Sequence, residues 1–178
     1  SRRYCPAARI CADPFHIIKL AGQALDELRR GLWQDLRETD PQRASWIKGT
    51  RFAIRRRADN LRPKDRSILD ELADTNVDLY RGWLLVDQLR AVYQARDHAE
   101  AMRLLDEWIY AACVSELEPF IRTALTLDTH RDYVANAIAL GLSPSDAFSA
   151  LLTRPAPFLA LAPMQEITDG AFWTLVHR

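Results

Sequence analysis

The feature that most constrains this chain is a carboxylate at the mouth of a long amphipathic run, Ile10-Cys11-Ala12-Asp13-Pro14-Phe15-His16-Ile17-Ile18-Lys19-Leu20. Beyond Pro14, the apolar residues Phe15, Ile18, Leu25, Leu28, Leu32 and Leu36 recur at three- and four-residue steps. That spacing gives a helix one apolar face, and it predicts a helix from Pro14 to about Glu38. The short apolar run Arg9 to Ala12 reads as a buried strand feeding into it. Asp13 then admits two readings. As an N-cap with proline at the first helical position it contributes about 1 kcal/mol with no chemistry at all. At the end of a rigid strand it is also well mounted to hold a hard metal ion such as Mg²⁺.

Helical patterning continues down the chain. Thr39-Asp40-Pro41 breaks the first helix, and a second is expected from Ser45 to about Ala58, carrying Trp46, Phe52 and Ile54. A third covers Lys64 to Asp74, with Ile68, Leu69 and Leu72 inward. The fourth, Val77 to Ala95, carries Tyr80, Leu84, Leu85, Leu89 and Val92. The fifth, His98 to Val114, carries Met102, Leu105, Trp108, Ile109 and Ala112, with Cys113 as a small core residue. Ser115 and Glu118 have capping-box spacing, so one long helix with Phe120, Ile121, Ala124, Leu127 and Ile138 is expected from there to Gly141. No strand is expected after Asp13. The fold class is therefore mainly α, with one short N-terminal strand.

Composition shifts after Ser143, where Pro144, Pro155, Pro157 and Pro163 crowd a stretch rich in Ala and Leu. Short helices are expected at Ser143 to Asp146 and from Gln165 to Val176. The apolar tract from Ala156 to Met164 is too short for a bilayer, which needs about 20 residues. With 48% hydrophobic residues in 178, the chain can build one core. Three cysteines do not form a disulfide framework and favour a reducing, cytoplasmic setting. With 24 basic and 24 acidic residues, whole-chain charge gives no sign of a nucleic-acid partner.

Local charge says more. Arg43, Lys48, Arg51, Arg55, Arg56, Arg57, Arg62, Lys64 and Arg66 gather with only Asp59 and Asp65 opposing them. Such a segment can neutralise phosphates, and the interleaved Trp46 and Phe52 suit contact with bases. The alternative is a solvated helix face whose aromatics belong to the core. Cys5, Cys11 and His16 lack zinc-finger spacing and a fourth ligand, so no zinc site is expected. His16 reads as a hydrogen-bonded helix residue beside Asp13, while His98 and His130 read as surface residues.

Several segments, in order over roughly 130 residues, resemble the ISL-three family of insertion-sequence transposases. They are Ala12-Asp13-Pro14-Phe15-His16-Ile17-Ile18-Lys19-Leu20, Ala24-Leu25-Asp26-Glu27-Leu28-Arg29-Arg30, Phe52-Ala53-Ile54 leading to Asp59-Asn60-Leu61-Arg62, Leu79-Tyr80-Arg81-Gly82-Trp83-Leu84-Leu85, Leu89-Arg90-Ala91-Val92-Tyr93, His130-Arg131-Asp132 and Ala139-Leu140-Gly141-Leu142-Ser143. The resemblance implies a ribonuclease-H-like transposase whose helical insertion follows the second Asp of an Asp/Asp/Glu triad, here Asp13. It implies Mg²⁺ as cofactor, held in part by Asp13, and DNA as partner, both insertion-sequence ends and target. It leaves room for a homo-oligomer and implies no membrane.

The chain departs from that pattern at its ends. The first Asp and the family's zinc-binding and helix-turn-helix regions are expected before Ser1, and no Glu follows Ser143 in register. Residues 1–143 are accordingly read as a transposase fragment and 144–178 as a divergent tail of the kind a changed reading frame would produce. The expected candidates are Asp13 for catalysis and metal, and Arg51, Arg55, Arg56, Arg57, Arg62 and Lys64 for DNA. Two rivals remain open: a non-catalytic DNA-binding or assembly module, and a helical protein-interaction scaffold.

Overall fold

A computed structural model describes residues 9–141 and 159–162. Strand β1 (Arg9–Ala12) leads through Asp13 into α1 (Pro14–Thr39). There follow α2 (Pro41–Gly49), 3-10 turns at Thr50–Phe52 and Ala58–Asn60, α3 (Pro63–Thr75), α4 (Val77–Val92), α5 (His98–Cys113), α6 (Glu118–Thr129) and α7 (Arg131–Ala139). The mainly helical expectation holds, and no strand interrupts Trp46 to Trp108.

Helix α1 forms the spine. Its buried face is Pro14, Ile17, Ala21, Ala24, Leu25 and Arg29, and it packs against α2, α4 and α6. The fully buried Ile17, Leu25, Leu72, Leu89, Leu105, Trp108, Phe120 and Leu127 build one core from most of the helices. Each such side chain contributes about 1.5–3 kcal/mol of transfer free energy. Helix α4 approaches α1 and α6 most closely at Gly82, where a Cβ would stand 3.0 Å from Leu25 and 3.1 Å from Leu28 and Phe120. That leaves little room for any larger side chain at this crossing.

Five sequence expectations are corrected. The second helix ends at Gly49, nine residues before Ala58. Asp40 caps it by accepting from Arg43 N at 2.9 Å, and Thr50 ends it by donating to the Ile47 carbonyl at 2.8 Å. The single helix expected after Ser115 is two. Ser115 does not cap it: its hydroxyl donates to the Ala112 carbonyl and accepts from Leu117 N. Glu116 then turns through φ 63, and Glu118-Pro119 begins α6, with proline in the first turn. Near its other end, Thr123, Thr126 and Thr129 each donate to the carbonyl four residues back, a pattern that bends helices, and the chain breaks at His130.

The third correction is a strand: β2 (Leu159–Ala162) pairs with β1 in parallel, Arg9 opposite Leu159 and Ala12 opposite Ala162. A short unbroken apolar run carries no period that separates a buried strand from a helix. The fourth is Cys113, which is exposed, because Ala101, Leu105, Trp108 and Ala112 take the inward positions of α5. The fifth is Phe15, which is 56% exposed for the same rotational reason. His130, read as a surface residue, is partly buried and stacks on Tyr133 with ring centroids 5.5 Å apart. The helices expected at Ser143 to Asp146 and Gln165 to Val176 lie outside the described residues, as does Cys5.

Candidate functional site

Asp13 sits where the strand becomes the helix. Its backbone is extended, with φ -70 and ψ 118, as an N-cap requires. One carboxylate oxygen accepts from Phe15 N at 2.9 Å and the other lies 2.6 Å from His16 Nδ1. The strand behind it is fixed from the side. Asn136 of α7 donates through Nδ2 to the Ile10 carbonyl at 2.9 Å, and α7 packs along β1. Arg131, at the start of α7, is in turn paired with Asp106 of α5 and with Asp128. Helix α7, which opens on the family-like Arg131-Asp132, thus braces the strand that carries Asp13.

Tyr93, at the end of α4, was not singled out from sequence. Its hydroxyl is buried and makes no hydrogen bond among the described residues. Burial, and after it the charge of Asp13, push its ionisation far above the ordinary tyrosine range. The family-like motif Leu89 to Tyr93 therefore ends within the electrostatic reach of Asp13, a contact between residues 80 apart that no local pattern reveals.

Asp13 offers hard oxygen donors, but the surrounding donor set does not complete a metal centre. Among the described residues, no group of three His, Cys, Asp or Glu side chains converges to hold an ion. Both Asp13 oxygens already have protein partners, and a two-metal site needs several carboxylates within a few Å. The residues present here do not by themselves fit a Mg²⁺ pair.

The basic segment divides into two populations. Asp65, at the start of α3, is 2% exposed and pairs with two arginines, Arg56 and Arg62, whose side chains stay 36% and 58% exposed. Arg62 Nε lies 2.7 Å and Arg62 Nη2 3.1 Å from its oxygens, and Arg56 Nε lies 2.9 Å from it. The Arg62 hydrogen bond holds the Asp65 carboxyl below the usual carboxylate range, with Arg56 adding to it. Arg57 pairs with Asp59 at 3.2 Å. Helix α4 pins the same stretch: Trp83 Nε1 donates to the Arg56 carbonyl at 3.1 Å, and Asp87 accepts from Ala58 N at 3.2 Å.

The remainder faces solvent. Arg51, Arg55 and Lys64 are exposed and have no ion pair within 4.0 Å among the described residues. Arg55 lies close enough to Asp26 of α1 to act on its charge. Burial alone would raise the Asp26 carboxyl, but the hydrogen bond and charge of Arg29, with Arg55 and Arg30, hold it low. Arg30 is exposed as well, but it is paired with the same Asp26 at 3.6 Å. Trp46 is partly buried, with the Arg43 guanidinium 4.3 Å over its ring, whereas Phe52 is 71% exposed.

The chain is similar in sequence to known transposases. The ISL3 family model of DDE proteins, described as "Transposase", matches residues 1–147. The transposase for insertion sequence element IS1557 of Mycobacterium tuberculosis is 33% identical over 159 residues, covering 78% of this chain and 36% of that protein. The transposase for insertion sequence element IS1001 of Bordetella parapertussis is 30% identical over 106 residues, covering 59% of this chain and 26% of its own length. The chain spans about a third of the IS1557 protein that it matches. No solved structure matches it.

Proposed function

This chain belongs to the ISL3 family of transposases, and from that premise we propose that it is a DNA-handling piece of such an enzyme, catalytically incomplete as it stands. The observation that carries this reading is the junction at Asp13. The family-matched carboxylate ends a braced strand and is held from both sides, yet no further carboxylate joins it among the described residues. In the whole enzyme Asp13 would supply one ligand to Mg²⁺, whose role is to polarise phosphoryl oxygens and activate the attacking hydroxyl. In this chain its work is to cap α1.

DNA is the partner this reading assigns, both insertion-sequence ends and target. Phosphates are met by the exposed cations Arg51, Arg55 and Lys64, not by Arg56 and Arg62, which Asp65 occupies. Binding is electrostatic in origin and falls with salt, by a slope of about −0.9 per phosphate contact. No helix among the described residues is long and apolar enough to cross a membrane.

The test is a nicking and strand-transfer assay with Mg²⁺ or Mn²⁺ on supercoiled DNA, beside an affinity titration at several salt concentrations. The expected result is salt-sensitive binding with no cleavage. Metal-dependent cleavage lost in Asp13→Ala would overturn the incompleteness. Glu166 and Asp146, which lie outside the described residues, would then be the first ligands to examine. Unchanged affinity in an Arg51→Ala, Arg55→Ala, Lys64→Ala triple variant would overturn the assigned DNA surface.

A further inference from the structure

We infer that Phe52 is a stacking platform for an unpaired DNA base, so that the DNA this surface prefers is single-stranded or locally opened. The inference rests on the DNA-binding reading above and names its substrate class.

The turn that carries Phe52 is built like a short piece of helix. Ala53 N and Ile54 N both donate to the Thr50 carbonyl, and Arg56 N donates to the Ala53 carbonyl. Burial follows the same period: Thr50, Ala53 and Ile54 are 1%, 2% and 1% exposed, while Arg51, Phe52 and Arg55 all face out. One exposed phenyl ring is thus carried on a turn that also exposes Arg51 and Arg55, neither of which has a carboxylate at ion-pair distance among the described residues.

A singly exposed hydrophobic residue means little by itself. What distinguishes Phe52 is its mount and its neighbours. The turn is clamped below by the Thr50 hydroxyl on the Ile47 carbonyl and, four residues on, by Trp83 on the Arg56 carbonyl. Little ordering remains to be done when a ring stacks on it, which favours binding. Tyr110, equally exposed at 71%, shares its face of α5 with the Arg103–Glu107 pair, in which a carboxylate cancels the cation. Arg51 and Arg55 beside Phe52 have no carboxylate at ion-pair distance among the described residues. An aromatic face neighboured by such arginines matches a base flanked by its phosphates, and stacking is tolerant of sequence. In duplex DNA the base faces are already stacked on each other, so the ring gains only from a strand that is open.

The experiment measures the affinity of the chain for a single-stranded oligonucleotide carrying 2-aminopurine and for a blunt duplex of the same sequence. Wild-type protein, Phe52→Ala, Phe52→Trp and the double variant Arg51→Ala, Arg55→Ala are compared. Circular dichroism confirms that each variant is folded, which an exposed position makes straightforward. Expected is tighter binding of the single strand, with 2-aminopurine fluorescence quenched. Phe52→Ala should lose about tenfold on the single strand and leave the duplex unchanged, Phe52→Trp should restore it, and the arginine variant should lose both. Equal single-strand affinity in Phe52→Ala, with duplex binding intact, overturns the stacking role and leaves the DNA reading standing. No binding of either DNA by wild type overturns both. Loss of self-association in Phe52→Ala, with no change on DNA, would reassign the ring to contact between copies of the chain.

Discussion

The junction at Asp13 and the basic segment from Arg51 to Lys64 both look like charge set out for function, but the fold treats them differently. At the junction one carboxylate is surrounded by donors from its own helix, and its place depends on a strand braced by α7. In the basic segment the charges greatly outnumber their partners, and a single buried carboxylate, Asp65, decides which of them remain available. The lesson is that charge counted along a sequence is not charge presented to a ligand. Arg56 and Arg62 hold the segment in shape, whereas Arg51, Arg55 and Lys64 are left for phosphate.

Both regions lean on α4, and the largest expected effect comes from striking that shared support. Gly82→Leu forces a side chain into space already filled by Leu25, Leu28 and Phe120 at 3.0–3.1 Å. Overpacking of this kind costs typically about 1–3 kcal/mol, more than the gain in helix propensity of about 1 kcal/mol recovers. Urea unfolding should show a lower midpoint and DNA affinity should fall with it. A variant as stable as wild type would mean that α4 and α1 do not cross so closely.

Asp13→Ala separates the regions. It removes the N-cap of α1 and should cost about 1 kcal/mol in urea unfolding, with DNA affinity at low salt unchanged. Asp13→Ser, which can still cap, should recover most of that stability. A large change in DNA binding by Asp13→Ala would erase the distinction drawn between the two regions.

How much of this was legible beforehand follows from what local sequence can encode. The start of α1 was readable because Asp13-Pro14 and the apolar period are local signals, and so was the left-handed turn at Gly141, φ 64. The end of α2 was not. Arg55, Arg56 and Arg57 leave the helix because Trp83 and Asp87, distant in sequence, hold the backbone of Arg56 and Ala58 elsewhere, while Asp65 holds the Arg56 side chain. The break at His130 has a local sign in the threonines before it, and α6 has one in Pro119, against which the Ser115–Glu118 spacing competes. Asp13 is legible as a candidate from its local sequence, whereas Tyr93 and Asn136 join it only through the fold.

A smaller effect isolates the clamp on the basic segment. Trp83→Phe keeps most of the buried ring and removes the donor to the Arg56 carbonyl. A net loss of about 0.5–1.5 kcal/mol is expected. The local consequence should exceed the global one: amides from Ile54 to Ala58 should exchange faster with solvent while those of α1 hold. Uniformly faster exchange would mean that the segment is not pinned separately.

The smallest effect is an acid titration of Asp65, and its sign is fixed by the ion pairs. The Arg62 hydrogen bond lowers the folded carboxyl below its ordinary value of 3.8. In the unfolded chain the same group titrates near 3.9. Folded protein therefore binds this proton less readily than unfolded protein, so Asp65 contributes stability in full above that unfolded value. The contribution is lost as pH falls through the depressed folded value, when Arg56 and Arg62 lose their partner. Carbon-detected NMR of the Asp65 carboxyl should show a midpoint below 3.8, with the Arg62 amide shifting in step. In Asp65→Asn that coupled shift should vanish and Arg56 and Arg62 should become available, raising low-salt DNA affinity and steepening its salt dependence. A midpoint at or above 3.8 would break the assignment, placing Arg56 and Arg62 back with the solvent-facing cations and removing the contrast with Asp13.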